Sequence, residues 1–425
     1  MSGAGRSDEP TRAATYSWIV YDLANTIFAL GVVGLYFSDW MVAEGHPDSY
    51  LAIVHATGAL AVVFIAPWVG ARTDVTGRRV PMLAVTTIAA IAATSLLAIG
   101  PVWFTFMMLW VAVVGVHTGS VVYDALLVDV STEENRGRIS GMGVGYGYLG
   151  SVIGLGLGLL ALDVLGWGYP GAFRLIAAAF LGFALPSFLF IRERPGVSDA
   201  PLPTVRGIAS RLIASWRAAR TYEGMVPFLV GRFFYTDAIN TLVGGFLAIF
   251  VIDELGLDRA FFTALMGVAI AGAIVGGFAS GPLIERHGPL RVLRFVLVMW
   301  VLAIAAGVTA AVTDVTDLAW VIGPVGGLAL GATWASDRVV MIRLSPPRRL
   351  GEFYGLYATM ARFATIAGPL VWAVIVDVAG LSRNFAMGAL AIFVAVGWLI
   401  LRGIDDKPRP WSTEDLLVQR PIPGR

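Results

Sequence analysis

The chain has 425 residues, of which 57% are hydrophobic and only 14% are charged. Charged residues normally make up about a quarter of a globular chain, so this composition excludes a soluble protein of several domains. The formal net charge of +1 argues against a nucleic-acid partner, and the absence of cysteine excludes disulfides, thiolate metal sites and cysteine nucleophiles.

Apolar segments of about 20 residues, the length at which a helix crosses the hydrocarbon core of a bilayer, recur along the chain. They predict an all-α integral membrane protein with twelve transmembrane helices, at residues 15–40, 50–70, 80–100, 103–128, 139–162, 171–191, 226–251, 260–284, 291–312, 318–342, 353–377 and 384–402. No phosphate-binding loop accompanies these segments, so ATP is not the evident source of energy.

The basic residues indicate how the helices are oriented. Of the 30 arginines and lysines, 24 fall in tails and loops on one side of the membrane when twelve helices are counted. Only Arg174, Arg259 and Arg383 fall on the other side. Cytoplasmic loops are enriched in arginine and lysine, so we expect both termini in the cytoplasm of a protein that spans the cell's inner membrane many times.

The two halves of the chain repeat each other. Asp22 and Asp237 are 215 residues apart, and Asp124 and Asp337 are 213 apart, each in corresponding helices. Such a repeat indicates two pseudo-symmetric bundles of six helices. We therefore expect four parts: an N-terminal bundle at 1–191, a cytoplasmic linker at 192–224, a C-terminal bundle at 225–402 and a cytoplasmic tail at 403–425.

Two of these apolar segments each contain an aspartate followed three residues later by an asparagine. Asp22 and Asn25 stand three residues apart in Tyr21-Asp22-Leu23-Ala24-Asn25-Thr26, and Asp237 and Asn240 repeat the spacing in the second half. Residues three apart share one face of a helix. Because a carboxyl group at membrane depth is energetically expensive, these positions are functional-site hypotheses.

A second motif lies between predicted helices 2 and 3. Gly70-x-x-x-Asp74-x-x-Gly77-Arg78-Arg79 is echoed in the second half by Gly281-x-x-x-Glu285-x-x-Gly288. The motif and the repeat resemble the major facilitator superfamily, although Val75 stands where that family usually has a basic residue. The resemblance implies that Asp74 and Arg78 tie the cytoplasmic ends of helices together in one transport state. The glycines would permit a tight turn and a close approach of helices.

A narrower resemblance covers most of the chain. Tyr123-Asp124, Tyr235-Thr236-Asp237 and Gly351-Glu352-Phe353-Tyr354, together with the Tyr21–Thr26 stretch, resemble the vacuolar amino-acid effluxer-like branch of the superfamily. The resemblance implies a central cavity lined by helices 1, 4, 7 and 10. One acid falls on each of these helices: Asp22, Asp124, Asp237 and Asp337. Three roles remain open for them: an inner gate built of ion pairs, proton carriage and direct contact with substrate.

Three arginines lie within predicted helices. Arg362 is near the middle of helix 11, where a guanidinium needs an anionic partner from the protein or the substrate, and a fixed ion pair remains the alternative. Arg338 adjoins Asp337, so we expect it in the counter-ion network of that acid. Arg232 is nearer a helix end and could simply extend its charge to the surface.

Helix 4 places His117, Ser120 and Asp124 on one face. Residues stacked on one helix do not supply the nucleophile, base and orienting group of a catalytic triad, which argues against a hydrolase. We interpret His117 as a residue that lines the cavity or accepts a proton, with a hydrogen-bonded packing role as the alternative.

These observations favour a secondary active transporter that works by alternating access and is not an enzyme. We expect proton-coupled export of a small polar solute, an amino acid or similar zwitterion. The alternatives are an exporter of lipophilic drugs or metabolites and, from another class, a non-transporting membrane sensor. The expected partners are the substrate, protons and the lipid bilayer. We expect a monomer that needs no cofactor and no metal.

Overall fold

The structure is a computed structural model that describes residues 10–193, 208–405 and 407–416. The regular structure of these residues is helical throughout. Twelve helices cross the molecule: α1 Arg12–Ala43, α2 Ser49–Thr76, α3 Arg79–Ser95, α4 Val102–Ala125, α5 Arg136–Val164, α6 Gly168–Phe190, α7 Met225–Glu254, α8 Arg259–His287, α9 Pro289–Thr313, α10 Thr316–Leu344, α11 Pro347–Val378 and α12 Arg383–Arg402.

Eleven of these helices are long and apolar enough to span a membrane, and α3 is a shorter apolar helix of 17 residues. Large apolar side chains stay exposed on their outer faces, among them Phe295, Val378 and Leu399. Exposed apolar surface of this extent fits contact with lipid tails. The prediction of an all-α membrane fold is therefore confirmed.

The helix ends follow local sequence signals. The last turn of α2 stops at Gly77, whose φ of 63° is the left-handed conformation that glycine adopts at low cost. At the start of α8, the Asp258 side chain accepts the backbone N–H of Phe261 at 2.7 Å. Pro289 then begins α9, where its missing N–H costs nothing.

The helices form two bundles, α1 to α6 and α7 to α12. Across the bundles, α2 packs against α11, and α5 packs against α8 and α10. We call the end where α1 begins and α12 ends the basic end, because the loop arginines Arg72, Arg78, Arg79, Arg136 and Arg138 lie there. The predicted boundaries between bundles, linker and tail stay predictions.

A helix from the predicted linker lies at the basic end. This linker helix, Ile208–Ala219, packs against both α2 and α11, whereas residues 194–207 of the predicted linker lie outside the described part. Ser215 is buried, and its hydroxyl donates to Glu352 Oε1 at 2.5 Å. The predicted tail also makes contacts, because Asp415 accepts a 2.8 Å hydrogen bond from the Tyr222 hydroxyl.

Several helices are irregular in the half farther from the basic end. Residues Ala29–Tyr36 of α1 form π-helical turns. In α7, Gly245 has a φ of 117°, which interrupts the helix. In α11, helical structure stops at Phe363 and resumes at Ala367. We call residues 364–366 the α11 break. Interrupted helices in transporters line binding sites, because their free backbone groups need polar partners.

Beyond these irregularities, the far halves of the helices pack within their own bundle. The second part of α1 packs on α5 and α6, and that of α7 packs on α8 and α12. The second part of α11 packs on α7 and α12. The two bundles are thus joined at the basic end, where the loop motif residues Asp74 and Glu285 also lie.

Candidate functional site

Two carboxylates cap helices across the bundle interface at the basic end. Asp74 at the end of α2 accepts the backbone N–H groups of Gly351 at 2.9 Å and Glu352 at 2.8 Å, in the first turn of the helical part of α11. Glu285 at the end of α8 accepts the N–H of Arg138 at 3.0 Å, in the first turn of α5. Carboxylates are stabilising at these positions because the first-turn N–H groups are unpaired and carry partial positive charge.

These two contacts, which we call the cross-bundle caps, are related by the internal repeat. Each joins an acid in the last turn of one helix to the first turn of a helix in the other bundle. The Arg138 guanidinium adds an ion pair to Glu285 at 3.1 Å. The caps therefore link the two bundles at the basic end.

The glycines beside the caps let the helix backbones touch. A Cβ on Gly70 would lie 1.9 Å from the carbonyl oxygen of Gly351, and one on Gly355 would lie 2.5 Å from Pro67 Cα. At the symmetric crossing, a Cβ on Gly141 would lie 2.5 Å from the Gly277 carbonyl oxygen. Any larger residue would separate the bundles here, since real Cβ atoms do not approach backbone so closely.

The arginine that supports Asp74 is Arg79. Its guanidinium lies 3.2 Å from Asp74 and 3.0 Å from Asp129, whereas Arg78 is exposed. The implied role of Arg78 in tying helices together is therefore taken by Arg79, because the turn at Gly77 directs the second arginine inward. Glu193 accepts the N–H groups of Arg79 and Val80 at the start of α3, and burial raises the pKa of this carboxyl above its usual value.

Above the caps, an ion cluster joins the bundles. Arg338 on α10 lies 2.8 Å from Asp22 on α1 and makes hydrogen bonds to both oxygens of that carboxylate. It also lies 3.1 Å from Asp124 on α4, at ion-pair distance but without hydrogen-bond geometry. One cation of the C-terminal bundle is thus shared by two acids of the N-terminal bundle.

Asp337 has a different partner from the one expected. Its carboxylate lies 2.8 Å from Arg232 on α7 and accepts hydroxyl hydrogen bonds from Tyr235 at 2.6 Å and Tyr357 at 2.9 Å. Arg232 is buried, with a side-chain exposure of 4%, and its guanidinium lies 3.4 Å from the centroid of the Tyr357 ring. Arg232 therefore does not extend its charge to the surface. Arg338, which was expected in the counter-ion network of its neighbour Asp337, does not pair with it.

Aromatic rings surround these ion pairs. Trp18 and Tyr123 stack with centroids 4.5 Å apart, and Tyr21 stacks on Tyr123 at 4.9 Å. The Arg338 guanidinium lies 5.4 Å from the Tyr123 centroid, and its backbone carbonyl accepts the Tyr354 hydroxyl at 2.9 Å. The sequence analysis gave these rings no role. The signal was present, since a tyrosine directly precedes both Asp22 and Asp124.

A small cavity reaches the Asp22–Arg338 ion pair. Its volume is about 160 Å³, and its lining includes Thr26, Tyr148 and Trp334. Asn25, the other residue of the first-half motif, is half-buried one turn from Asp22. The ion pair therefore borders open space on one side.

Asp237 differs from the other three acids. It is fully buried, and within the described part of the chain neither carboxylate oxygen makes a hydrogen bond or an ion pair of ordinary geometry. Its oxygens face the backbone amides of residues 366–368 at the α11 break. One turn later, Asn240 donates a side-chain hydrogen bond of 3.1 Å to the carbonyl of Ala364. The motif of α7 thus packs directly on the α11 break.

Arg362 also differs from the other intramembrane arginines. Its Nη1 donates to Nε2 of His117 on α4 at 3.1 Å. Because a guanidinium can only donate, Nε2 must be the unprotonated nitrogen and His117 must be neutral. No acid of the described residues lies within ion-pair distance of Arg362. The described part of the protein therefore does not supply the anionic partner that the sequence predicts for Arg362.

Solved structures share this architecture. The human organic anion transporter MFSD10 (TETRAN) aligns with a TM-score of 0.67 at 16% identity, over 92% of this chain and 98% of that chain. A bacterial homologue of the iron transporter ferroportin, solved in an outward-facing state, aligns with a TM-score of 0.69 at 15% identity, over 92% and 99%. These likenesses define the fold class of the chain, which is that of solved membrane transporters such as these two.

Sequence comparison narrows this class. The model of the family described as "Vacuole effluxer Atg22 like" matches residues 35–408, and the chain belongs to that family. An uncharacterized MFS-type transporter of Bacillus subtilis, YxiO, is 26% identical over 96% of this chain and 97% of its own length. Autophagy-related protein 22-1 of Penicillium rubens is 26% identical over 63% of this chain. The chain spans about half the length, 49%, of that fungal relative. The resemblance to the effluxer-like branch is confirmed.

Proposed function

We propose that this transporter exports a small solute that carries a carboxylate, an amino acid or similar zwitterion, across the cytoplasmic membrane in exchange for protons. The observation that carries the substrate class is Arg362. A guanidinium inside a membrane protein is costly to desolvate, and in the described part of the chain the side chain of Arg362 forms its hydrogen bond with a neutral imidazole and no ion pair. A carboxylate is the anion that best matches the planar fork of the guanidinium.

The position of Arg362 fits a substrate site. It lies two residues before the α11 break, and its partner His117 lies on α4 of the other bundle. A ligand bound there contacts both bundles at once. Such a ligand can stabilise one arrangement of the bundles over the other, because a ligand shifts a conformational equilibrium through its differential affinity for the two states.

The orientation of the molecule in the membrane determines which side of the membrane this conformation closes. The basic end carries most of the arginines, so we place it in the cytoplasm together with both termini. The cross-bundle caps and the ion cluster then close the cytoplasmic side, and the far halves of the helices open outward. Transport requires that these contacts break while contacts form at the opposite end.

The proposed class of solute is tested by counterflow in proteoliposomes that contain the purified full chain. Each amino acid is compared with its carboxamide, which keeps the ammonium group and lacks the carboxylate. We expect exchange of one or more amino acids and at least a tenfold lower rate for the matching amides. Equal exchange of acids and amides would contradict a carboxylate site. Exchange of lipophilic cations alone would favour the drug-exporter alternative.

A further inference from the structure

The four intramembrane acids divide into two kinds. Asp22, Asp124 and Asp337 each lie at ion-pair distance from an arginine. Asp237 has no such partner among the described residues, and both its oxygens are buried without a hydrogen bond. A buried ionised carboxylate without a counter-ion is costly, and binding a proton removes that cost.

The charged groups on the helices around Asp237 are engaged elsewhere. On its own helix, Arg232 pairs with Asp337 and Tyr235 donates to the same carboxylate. On α10, Arg338 pairs with Asp22 and Asp124. On α11, Arg362 contacts His117, and Tyr357 donates to Asp337. On α12, Arg383 pairs with Asp253 and Glu254 near the far end, and Arg402 lies over Trp398.

The surroundings of Asp237 also allow the proton to leave. Its oxygens face the amides at the α11 break, which favour the carboxylate form without forming full hydrogen bonds. The absence of a side chain at Gly368 makes room for the acid, since a Cβ there would lie 2.6 Å from Asp237 Oδ2 and 2.1 Å from Thr241 Oγ1. Burial without a counter-ion favours the protonated form and the nearby amides favour the carboxylate, and such opposed influences suit a group that must bind and release a proton in each cycle.

We infer that Asp237 is the binding site of the coupling proton and that the α11 break connects it to Arg362. This inference rests on the proposed function. Arg362 is the last residue but one of the first part of α11, and Asp237 contacts the start of the second part. Between them, Asn240 donates a hydrogen bond to the carbonyl of Ala364. Protonation changes how the second part of α11 packs on α7, and therefore how the break positions Arg362.

The first test needs no substrate. Infrared difference spectra of the purified full chain, recorded as the pH is changed, report the carbonyl band of a protonated carboxylic acid. Among the titrating bands of the parent, we expect one to be missing in Asp237→Asn. Asp314→Asn is the matched control, because Asp314 is exposed and its φ of 56° is one that asparagine tolerates. An unchanged set of titrating bands in Asp237→Asn would overturn the inference.

The second test uses an amino acid found by counterflow. A single proton site changes its occupancy by at most about tenfold per pH unit. We expect an imposed pH gradient to drive accumulation by the parent and by Asp314→Asn, and to leave Asp237→Asn without accumulation. A sodium gradient that drives the parent, or a full pH response in Asp237→Asn, would overturn the inference. If the infrared band behaves as expected and no amino acid is transported, the proton site stands and the proposed substrate falls.

Discussion

Arg338 on α10 and Asp22 on α1 lie 2.8 Å apart and join the two bundles through an ion pair that borders a cavity. The residue before Arg338, Asp337, points into its own bundle and pairs with Arg232. Adjacent residues on a helix do not share a face. The dipeptide therefore serves two functions: one side chain holds the bundles together, and the other holds α7 and α10 within the C-terminal bundle.

The orientation of the chain is open to direct measurement. Because 24 of the 30 basic residues fall in tails and loops predicted on one side of the membrane, we expect reporter fusions at Gly403 to read cytoplasmic and insertions at Pro47 to read external. An external signal at Gly403 would contradict both the helix count and the outward-open interpretation of this conformation.

Loss of a cross-bundle cap should impair transport and spare binding. In Asp74→Asn, one side-chain oxygen replaces the two charged acceptors of the Gly351 and Glu352 amides. A hydrogen bond to a charged group is worth about 1.5–3 kcal/mol, so we expect the closed basic end to lose about tenfold or more in population.

The prediction for Asp74→Asn is checked by measuring its rate of exchange and its affinity for the transported solute. Glu285→Gln, at the symmetric cap, should reproduce the effect, whereas Asp405→Asn, an exposed acid paired only with Lys407, should not. A normal exchange rate in both cap variants would show that transport does not depend on the caps.

Close approach of the backbones at the caps depends on glycine. Gly70→Ala places a methyl group where the Gly351 carbonyl oxygen lies, so the bundles cannot close at the basic end. Gly182→Ala on α6 is the matched control, because a Cβ there meets nothing within 4 Å. The control should be neutral or slightly stabilised, since alanine favours a helix by about 0.5–1 kcal/mol over glycine.

The separation of the bundles can be read with two spin labels. The chain has no cysteine, so Arg78→Cys and Arg349→Cys introduce the only thiols, one on each bundle at the basic end. We expect Gly70→Ala to shift the label distance to larger values and Gly182→Ala to leave it unchanged. Identical distance distributions in the two variants would show that the glycine crossing does not limit closure.

The Arg232–Asp337 pair should stabilise the C-terminal bundle. Both side chains are almost fully buried, so Asp337→Asn leaves a guanidinium without its counter-ion and should cost about 3–5 kcal/mol. The double variant Arg232→Gln with Asp337→Asn removes both charges and should recover part of the loss. The free energy of unfolding, measured for both single variants and the double variant, gives the coupling. Additive losses would show that the pair does not act as a unit.

The sequence predicted the helices well because their signal is local. A long apolar segment must span the bilayer whatever it packs against, and the repeated Asp22 and Asp237 spacing pointed to equivalent helices. The partners could not be read in the same way. Whether Arg338 or Arg232 neutralises Asp337 depends on rotation of each helix about its axis, which a one-residue offset changes by about 100°.

The same limit explains the arginines of the loop motif and Arg362. The turn at Gly77 decides that Arg79 rather than Arg78 reaches Asp74, and no composition rule orders those two adjacent residues. For Arg362, the sequence required an anionic partner. In the described part of the chain its side-chain hydrogen bond is to His117, so the anionic partner predicted within the protein is not found there.

The measurement that tests this account most directly is the affinity of Arg362→Lys for the transported amino acid, taken together with its melting temperature. Lysine keeps the charge and loses the planar fork, so we expect roughly 10- to 100-fold weaker binding with a melting temperature equal to that of the exposed control Arg174→Lys. Unchanged affinity per folded molecule with a lower melting temperature would contradict it, and would make Arg362 a structural residue that holds α11 in place.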